Sequence, residues 1–153
     1  TIDTESHTKK MKTVIVLSLV VFSVAADTYT DRYDNTNIEE IMENCRMLVP
    51  YENCILEKQK CTKEGQELKS HLKEAIENGC AKCTETQKEK AKRAACILSN
   101  CQPAFWKKAM DMYDPNNNHR KEHQNEFDNA TKCAVDCKKY KECDINTGRP
   151  VGE

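Results

Sequence analysis

The chain has 153 residues, a formal net charge of −1 and 32% charged side chains, enough for one domain but without a basic stripe for nucleic acid. Glycine and proline number four each, aromatic residues make up 6%, and no segment alternates strictly between polar and apolar, so the composition favours an all-α fold over a β-rich one.

Residues 1–10 (TIDTESHTKK) precede Met11 and read as upstream leader sequence. Met11 to Ala26 (MKTVIVLSLVVFSVAA) joins a basic start at Lys12, an apolar run from Val14 to Phe22 and small residues at Val24-Ala25-Ala26, the make-up of a secretory signal peptide. The apolar run is too short to span a bilayer, which sets aside a membrane anchor. Ten cysteines in an exported chain imply disulfides rather than free thiols.

After Ala26 the helical signals begin at Thr36-Asn-Ile-Glu39, which fits a capping box opening a short helix with Ile38, Ile41 and Met42 on one face. Pro50 is tolerable only in a first turn, so a second helix is expected to start near it, with Tyr51, Cys54 and Ile55 inward. A third helix carries Leu68, Leu72 and Ile76 at i, i+4 and i+8 with Ala75 beside them, with Thr62 as N-cap and Gly79 just past its end. Thr84 to Gln87 (TETQ) is a second capping box, opening a helix through Ala91, Ala94, Ala95 and Leu98. Pro103 opens a fifth, with Phe105, Trp106, Ala109, Met110 and Tyr113 on its apolar side, ending at Asp114-Pro115. From His119 onward Phe127, Ala130, Ala134 and Cys137 recur at helical spacing, predicting one more helix, and residues 148–153 are expected to fray.

Three short motifs invite chemistry. Cys80-Ala-Lys-Cys83 fits a redox pair, half a zinc site or a disulfide; the redox reading needs a βαβ context absent from the pattern, and zinc needs a second close pair at suitable separation. His119-Arg-Lys-Glu-His123 matches a zinc-protease pattern, but no third ligand is evident and its neighbours are charged, so a solvated helix face is the better reading. Asn129-Ala-Thr131 is a glycosylation sequon that, if used, places that face outward.

The spacing C-x6-C-x18-C-x2-C at Cys54, Cys61, Cys80 and Cys83 is far more specific than the CxxC within it. With YTDRYDN from Tyr29, IEEIMEN, CTKEGQELK, AIENGCAKCTETQKEK and PAFWKKAMDMYDP, it makes residues 27–128 resemble the insect chemosensory proteins, small secreted carriers of apolar molecules. The resemblance implies a compact bundle of about six helices around an apolar channel, closed by the local disulfides Cys54–Cys61 and Cys80–Cys83. It implies no catalysis and no cofactor. Tyr51 matches the family tyrosine at the channel mouth and Trp106 the family tryptophan at the other end; the family usually has no proline at position 50. Residues 129–153 exceed what the family needs and form a cysteine-containing helical extension.

Apolar helix faces can be core or cavity lining. Here large apolar side chains are few for the number of helices and many inward positions are Ala or Met, the latter adaptable to irregular guests. Together with the resemblance, this makes Ile41, Met42, Tyr51, Ile55, Leu68, Leu72, Ile76, Ala91, Ala95, Leu98, Trp106 and Met110 the candidate ligand-binding set, for semiochemicals, fatty acids or related lipids. The expected protein is a secreted monomer that binds a hydrophobic small molecule, with no nucleic-acid partner and no membrane insertion after signal cleavage. The rival is a secreted developmental or interaction protein on the same scaffold, its interior filled by its own side chains. A phospholipase-type hydrolase would need a Cys-Cys-x-x-His-Asp sequence that His71 lacks, and a six-cysteine odorant-binding protein needs more cysteines after Cys137 than Cys143 alone. Six cysteines depart from the four-cysteine pattern: Cys45, Cys96 and Cys101 in the domain and Cys133, Cys137 and Cys143 in the tail. Their even division leads to the expectation that at least one bridge staples tail to domain.

Overall fold

The computed structural model describes residues 27–152; the expected leader over 1–10 and signal peptide over 11–26 lie outside the described residues. Seven helices follow in order: α1 (Ile38–Glu43), α2 (Cys45–Ile55), α3 (Lys63–Glu77), α4 (Glu85–Cys101), α5 (Pro103–Tyr113), α6 (Asn118–Glu122) and α7 (Gln124–Thr131). Two two-residue strands, β1 (Cys143–Asp144) and β2 (Arg149–Pro150), pair antiparallel with Cys143 opposite Pro150. The all-α class holds. The expected ends of α3, Thr62 as N-cap and Gly79 with φ +63°, hold too, as does the Thr84–Gln87 capping box of α4.

Three local expectations are corrected. The cap of α1 is Asn37, whose side chain accepts from the Glu40 N–H at 3.3 Å. Thr36 is held outside the helix: its N–H turns back to the Tyr33 carbonyl, and its own carbonyl accepts from Lys90 Nζ.

Helix α2 starts at Cys45, not near Pro50. Asn44 caps it by accepting from the Arg46 N–H at 3.0 Å, and Pro50 sits inside. An interior proline costs roughly 3 kcal/mol. Against that stands one continuous buried face, Cys45, Leu48, Val49, Glu52, Ile55 and the adjoining Leu56. Each large aliphatic residue in it is worth about 1.5–3 kcal/mol on burial, so the face outweighs the proline.

The single tail helix expected from His119 is broken at His123 and ends at Thr131, so Cys133 and Cys137 lie in irregular chain. The reason is covalent. Cys96 bonds Cys133 and Cys101 bonds Cys137. A five-residue step on α4 turns about 140° around the axis and a four-residue step on a second helix only about 40°. Two regular helices cannot close both rungs on one seam, whereas an extended segment can follow α4 round.

The tail is part of the core. One cluster joins Met42, Cys45, Leu48, Val49, Ile97 and Cys101 to Tyr140 and Cys143, with Val135 and Ile145 packed against it. The expected boundary after residue 128 falls inside α7, and Tyr140, only 1% exposed, hydrogen-bonds through its hydroxyl to Glu39 Oε2 at 3.0 Å while accepting from Arg93 at 2.9 Å. A smaller cluster joins Ile55 and Leu56 of α2 and its C-cap to Phe105 and Ala109 of α5, with Leu72 and Tyr113 against it.

All ten cysteines are paired, and all three surplus bridges run from domain to tail, adding Cys45–Cys143 to the two already given. The local pairs Cys54–Cys61 and Cys80–Cys83 form as the resemblance implied. In the chain-entropy model the Cys45–Cys143 bridge, closing 98 residues, is worth about 4.5 kcal/mol, and Cys80–Cys83, closing 3, about 1.5 kcal/mol. Replacing Cys45 and Cys143 together by alanine should therefore lower unfolding stability by about 3 kcal/mol more than replacing Cys80 and Cys83. Urea unfolding of the two double variants measures this; equal losses would contradict the long bridge.

Candidate functional site

The site is built from the outside of the second cluster inward. Helix α3 rests chiefly on α2, and Gly65 is its one buried residue. A Cβ at Gly65 would stand 3.2 Å from Cys54 Sγ and 3.3 Å from the capping Thr62 hydroxyl, so the glycine lets α3 close onto the Cys54–Cys61 bridge. At the other end Gly79 and Cys80 both take φ +63°, and a Cβ on Gly79 would meet His123 Nδ1 at 2.9 Å. Both ends of α3 are thus clipped, while its length is lightly held. Leu72 reaches the second cluster, Ile76 and Ala75 are half-buried, and Leu68 is 47% exposed.

Of the remaining expected lining residues, Met42, Ile55 and Met110 are buried, and Ile41, Tyr51, Ala95, Leu98 and Trp106 are half-buried. Leu98 touches both clusters, and Trp106 packs against Phe127 with ring centres 6.1 Å apart. Ala91, like Leu68, stands on the surface and joins neither cluster. The apolar faces expected to enclose a channel pack directly on one another. Two open depressions, of about 520 and 510 Å³, lie outside them around α1. Both are formed mainly by polar or charged residues, Glu39, Glu40 and Glu43 in one and Asp34, Lys90 and Arg93 in the other.

Three polar or charged residues are buried among the described ones: Glu52, Gln102 and Asp114. Gln102 is satisfied, donating to the Lys141 carbonyl at 2.7 Å and accepting from the Cys143 N–H at 2.8 Å. Asp114 ends α5 and accepts from the His119 N–H, the Arg120 N–H and Arg120 Nε. Burial alone would raise its pKa, but Arg120 and these N–H groups hold it below the usual carboxylate range. Glu52 is different: it is 1% exposed and neither carboxylate oxygen has a hydrogen-bond partner in the protein. Burial, and then the nearby Glu142, push its pKa up to about 7.

Glu52 was missed because a helix beginning at Pro50 cuts off the first half of the inward face. Taking Asn44 as the cap would have placed Glu52 three and four residues from Leu48, Val49, Ile55 and Leu56 on one stripe. His119 lies in the first turn of the short α6 and His123 packs on Gly79, and no group of three or more His, Cys, Asp or Glu side chains placed to hold a metal ion occurs among the described residues. Asn129 is exposed on α7.

A helical bundle with locally clipped helix ends and an apolar interior defines the class of small disulfide-bonded binding scaffolds. The model of the insect pheromone-binding family, A10/OS-D, matches residues 29–121, and the chain belongs to that family. It is 34% identical over 116 residues to allergen Tha p 1 of Thaumetopoea pityocampa, covering 76% of this chain and 92% of that protein. It is 36% identical over 107 residues to ejaculatory bulb-specific protein 3 of Drosophila melanogaster, covering 70% and 84%. Among solved structures it is similar to a chemosensory protein in complex with bromo-dodecanol, at 48% identity and TM-score 0.59, covering 64% of this chain and 98% of that one. The antennal chemosensory protein A6 from the moth Mamestra brassicae follows at 44% identity and TM-score 0.55, covering 71% of this chain and all (100%) of that one.

The raised pKa of Glu52 sets a pH dependence. The folded state holds this proton more tightly than the unfolded chain, whose carboxyl titrates near 4.5, so the stability is fully present below pH 4.5 and declines as pH rises to about 7. The loss is on the order of 3 kcal/mol. Glu52→Leu should therefore raise the urea midpoint more at pH 8 than at pH 4.5; an equal gain at both would contradict a buried, proton-holding Glu52.

Proposed function

We propose that the protein is a secreted carrier that binds and solubilises small hydrophobic molecules between its helices, without catalysis. The observation that carries this reading is α3: a helix clipped at both ends, with Gly65 alone fully buried, lying over the apolar cluster of Ile55, Leu56, Phe105 and Ala109. Displacing it exposes apolar surface while both clips stay intact. The related chemosensory protein solved with bromo-dodecanol supports the same class of guest. Burial of an acyl chain gains roughly 0.8 kcal/mol per methylene, so about ten methylenes give roughly 8 kcal/mol before ordering costs. That suits a micromolar carrier able to release its cargo. The binding residues are then Tyr51, Ile55, Leu72, Ile76, Leu98, Trp106 and Met110, each buried or half-buried. No described helix is long and apolar enough to cross a membrane, and export rests on the signal-like segment over residues 11–26.

The test is displacement of a fluorescent apolar probe from the mature chain by aliphatic alcohols, acids and hydrocarbons, read with Trp106 emission. Saturable displacement in the micromolar range is expected. No displacement across the panel would overturn the carrier reading and favour an interaction protein.

A further inference from the structure

Resting on the carrier reading, we infer that Glu52 is the polar anchor of the cargo site, an acceptor for the hydroxyl head of an uncharged long-chain alcohol whose tail lies along the cluster beneath α3. Geometry carries this. Leu48 and Val49, one turn before Glu52, belong to the first cluster; Ile55 and Leu56, one turn after, belong to the second. Glu52 lies on the buried stripe between them, with Glu142 of the tail beside it, one turn from Ile55 and Leu56 of the cluster that Leu72 of α3 packs on. Leu98 and Ile145, each half-buried, touch both clusters and flank the seam.

A buried carboxyl without a partner is costly, and native interiors satisfy nearly all such groups. This one does so for Gln102 and Asp114 and not for Glu52, whose two oxygens both lack a protein donor. A group kept under those conditions at the boundary of an apolar binding surface is matched by a ligand atom that completes it. Asn53, next in the chain, is already committed to the Ile145 carbonyl at 3.0 Å, so it does not compete.

The chemistry of the carboxyl selects the head. A hydroxyl can donate to Glu52 whether or not Glu52 carries its proton, and can accept from it when it does. The state with the proton on Glu52 is favoured by burial. A fatty carboxylate would carry a full negative charge into a buried, apolar surround beside Glu142, a desolvation cost that an uncharged alcohol does not meet. A hydrocarbon or alkyl halide fills the apolar surface and leaves the carboxyl unmatched.

The experiment measures probe displacement by 1-dodecanol, 1-chlorododecane and dodecanoate on the wild-type mature chain and on Glu52→Leu and Glu52→Gln. Wild type should bind the alcohol about tenfold more tightly than the chloride, with dodecanoate weakest. Glu52→Leu should bring alcohol and chloride within about twofold, and Glu52→Gln, whose amide still accepts, should keep part of the preference. Far-ultraviolet circular dichroism checks that Glu52→Leu is folded. Independently, the infrared carboxyl C=O band that disappears in Glu52→Gln should shift in wild type on adding 1-dodecanol and stay put on adding 1-chlorododecane. Equal wild-type binding of the three ligands, an undiminished alcohol preference in Glu52→Leu, or an unmoved band would each overturn the anchor while leaving the carrier reading intact. If none of the three displaces the probe, both fall together.

Discussion

The interior depends on one helix face. Both apolar clusters are built on the buried stripe of α2, the first on Cys45, Leu48 and Val49 and the second on Ile55 with the C-cap Leu56. The stripe exists only if α2 runs unbroken through Pro50. The missing proline N–H leaves the Arg46 carbonyl, one turn back, without its helical donor, and Arg46 lies on the exposed side where that omission is least costly. Because each buried aliphatic is worth about as much as the proline costs, the helix is secured by tertiary packing and not by propensity.

Covalent links divide this interior into a fixed half and a lightly held half. Around the first cluster three bridges tie the tail to α2 and α4, and Tyr140 is held by Glu39 and Arg93. The Lys139–Glu43 pair at 2.9 Å is solvent-exposed and contributes little by comparison. Around the second cluster the bridges are local: Cys54–Cys61 joins the end of α2 to the loop before α3, and Cys80–Cys83 closes a turn within the loop between α3 and α4. They restrict where α3 begins and ends without tying it to α4 or α5. Rigidity on one side therefore coexists with ease of separation on the other, and the difference lies in loop length more than in bridge number.

Much of this was legible in the chain. Capping residues, the C′ glycine and the N1 proline of α5 are local signals, and they placed α3, α4 and α5; the two short bridges came from the family resemblance that the cysteine spacing helps to carry. Non-local constraints were not legible. The pairing partners of Cys133 and Cys137 decide that the tail leaves the helical path, and nothing between residues 131 and 137 announces it. Periodicity also cannot tell which of several in-phase residues meets a neighbour: Leu68 and Leu72 are equivalent in sequence, yet only Leu72 reaches the α2/α5 cluster. Even division of the surplus cysteines between domain and tail did carry long-range information, because an exported chain leaves few thiols unpaired.

The same division bears on where a guest can be accommodated. Opening the first cluster would mean parting Tyr140 and Ile97, at 1% and 0% exposure, inside a region crossed by three long bridges. Opening the second means shifting α3 over Leu72, a half-buried contact, and parting surface contacts of α3 such as His71 with the Tyr29 ring and Lys69 with Glu57, none of them crossed by a long bridge. An apolar chain entering there replaces lost side-chain contacts with its own methylenes, so the net change in buried apolar area is small and the scaffold can adapt to guests of different length. What such a surface lacks is discrimination, since methylenes are interchangeable. A buried polar group beside it supplies that, because leaving it unmatched is penalised in a way that a missing methylene is not. Glu52 stands at the one place on α2 where the fixed cluster stops and the yielding one starts, so a head group meeting it would be braced by the half of the molecule that does not move.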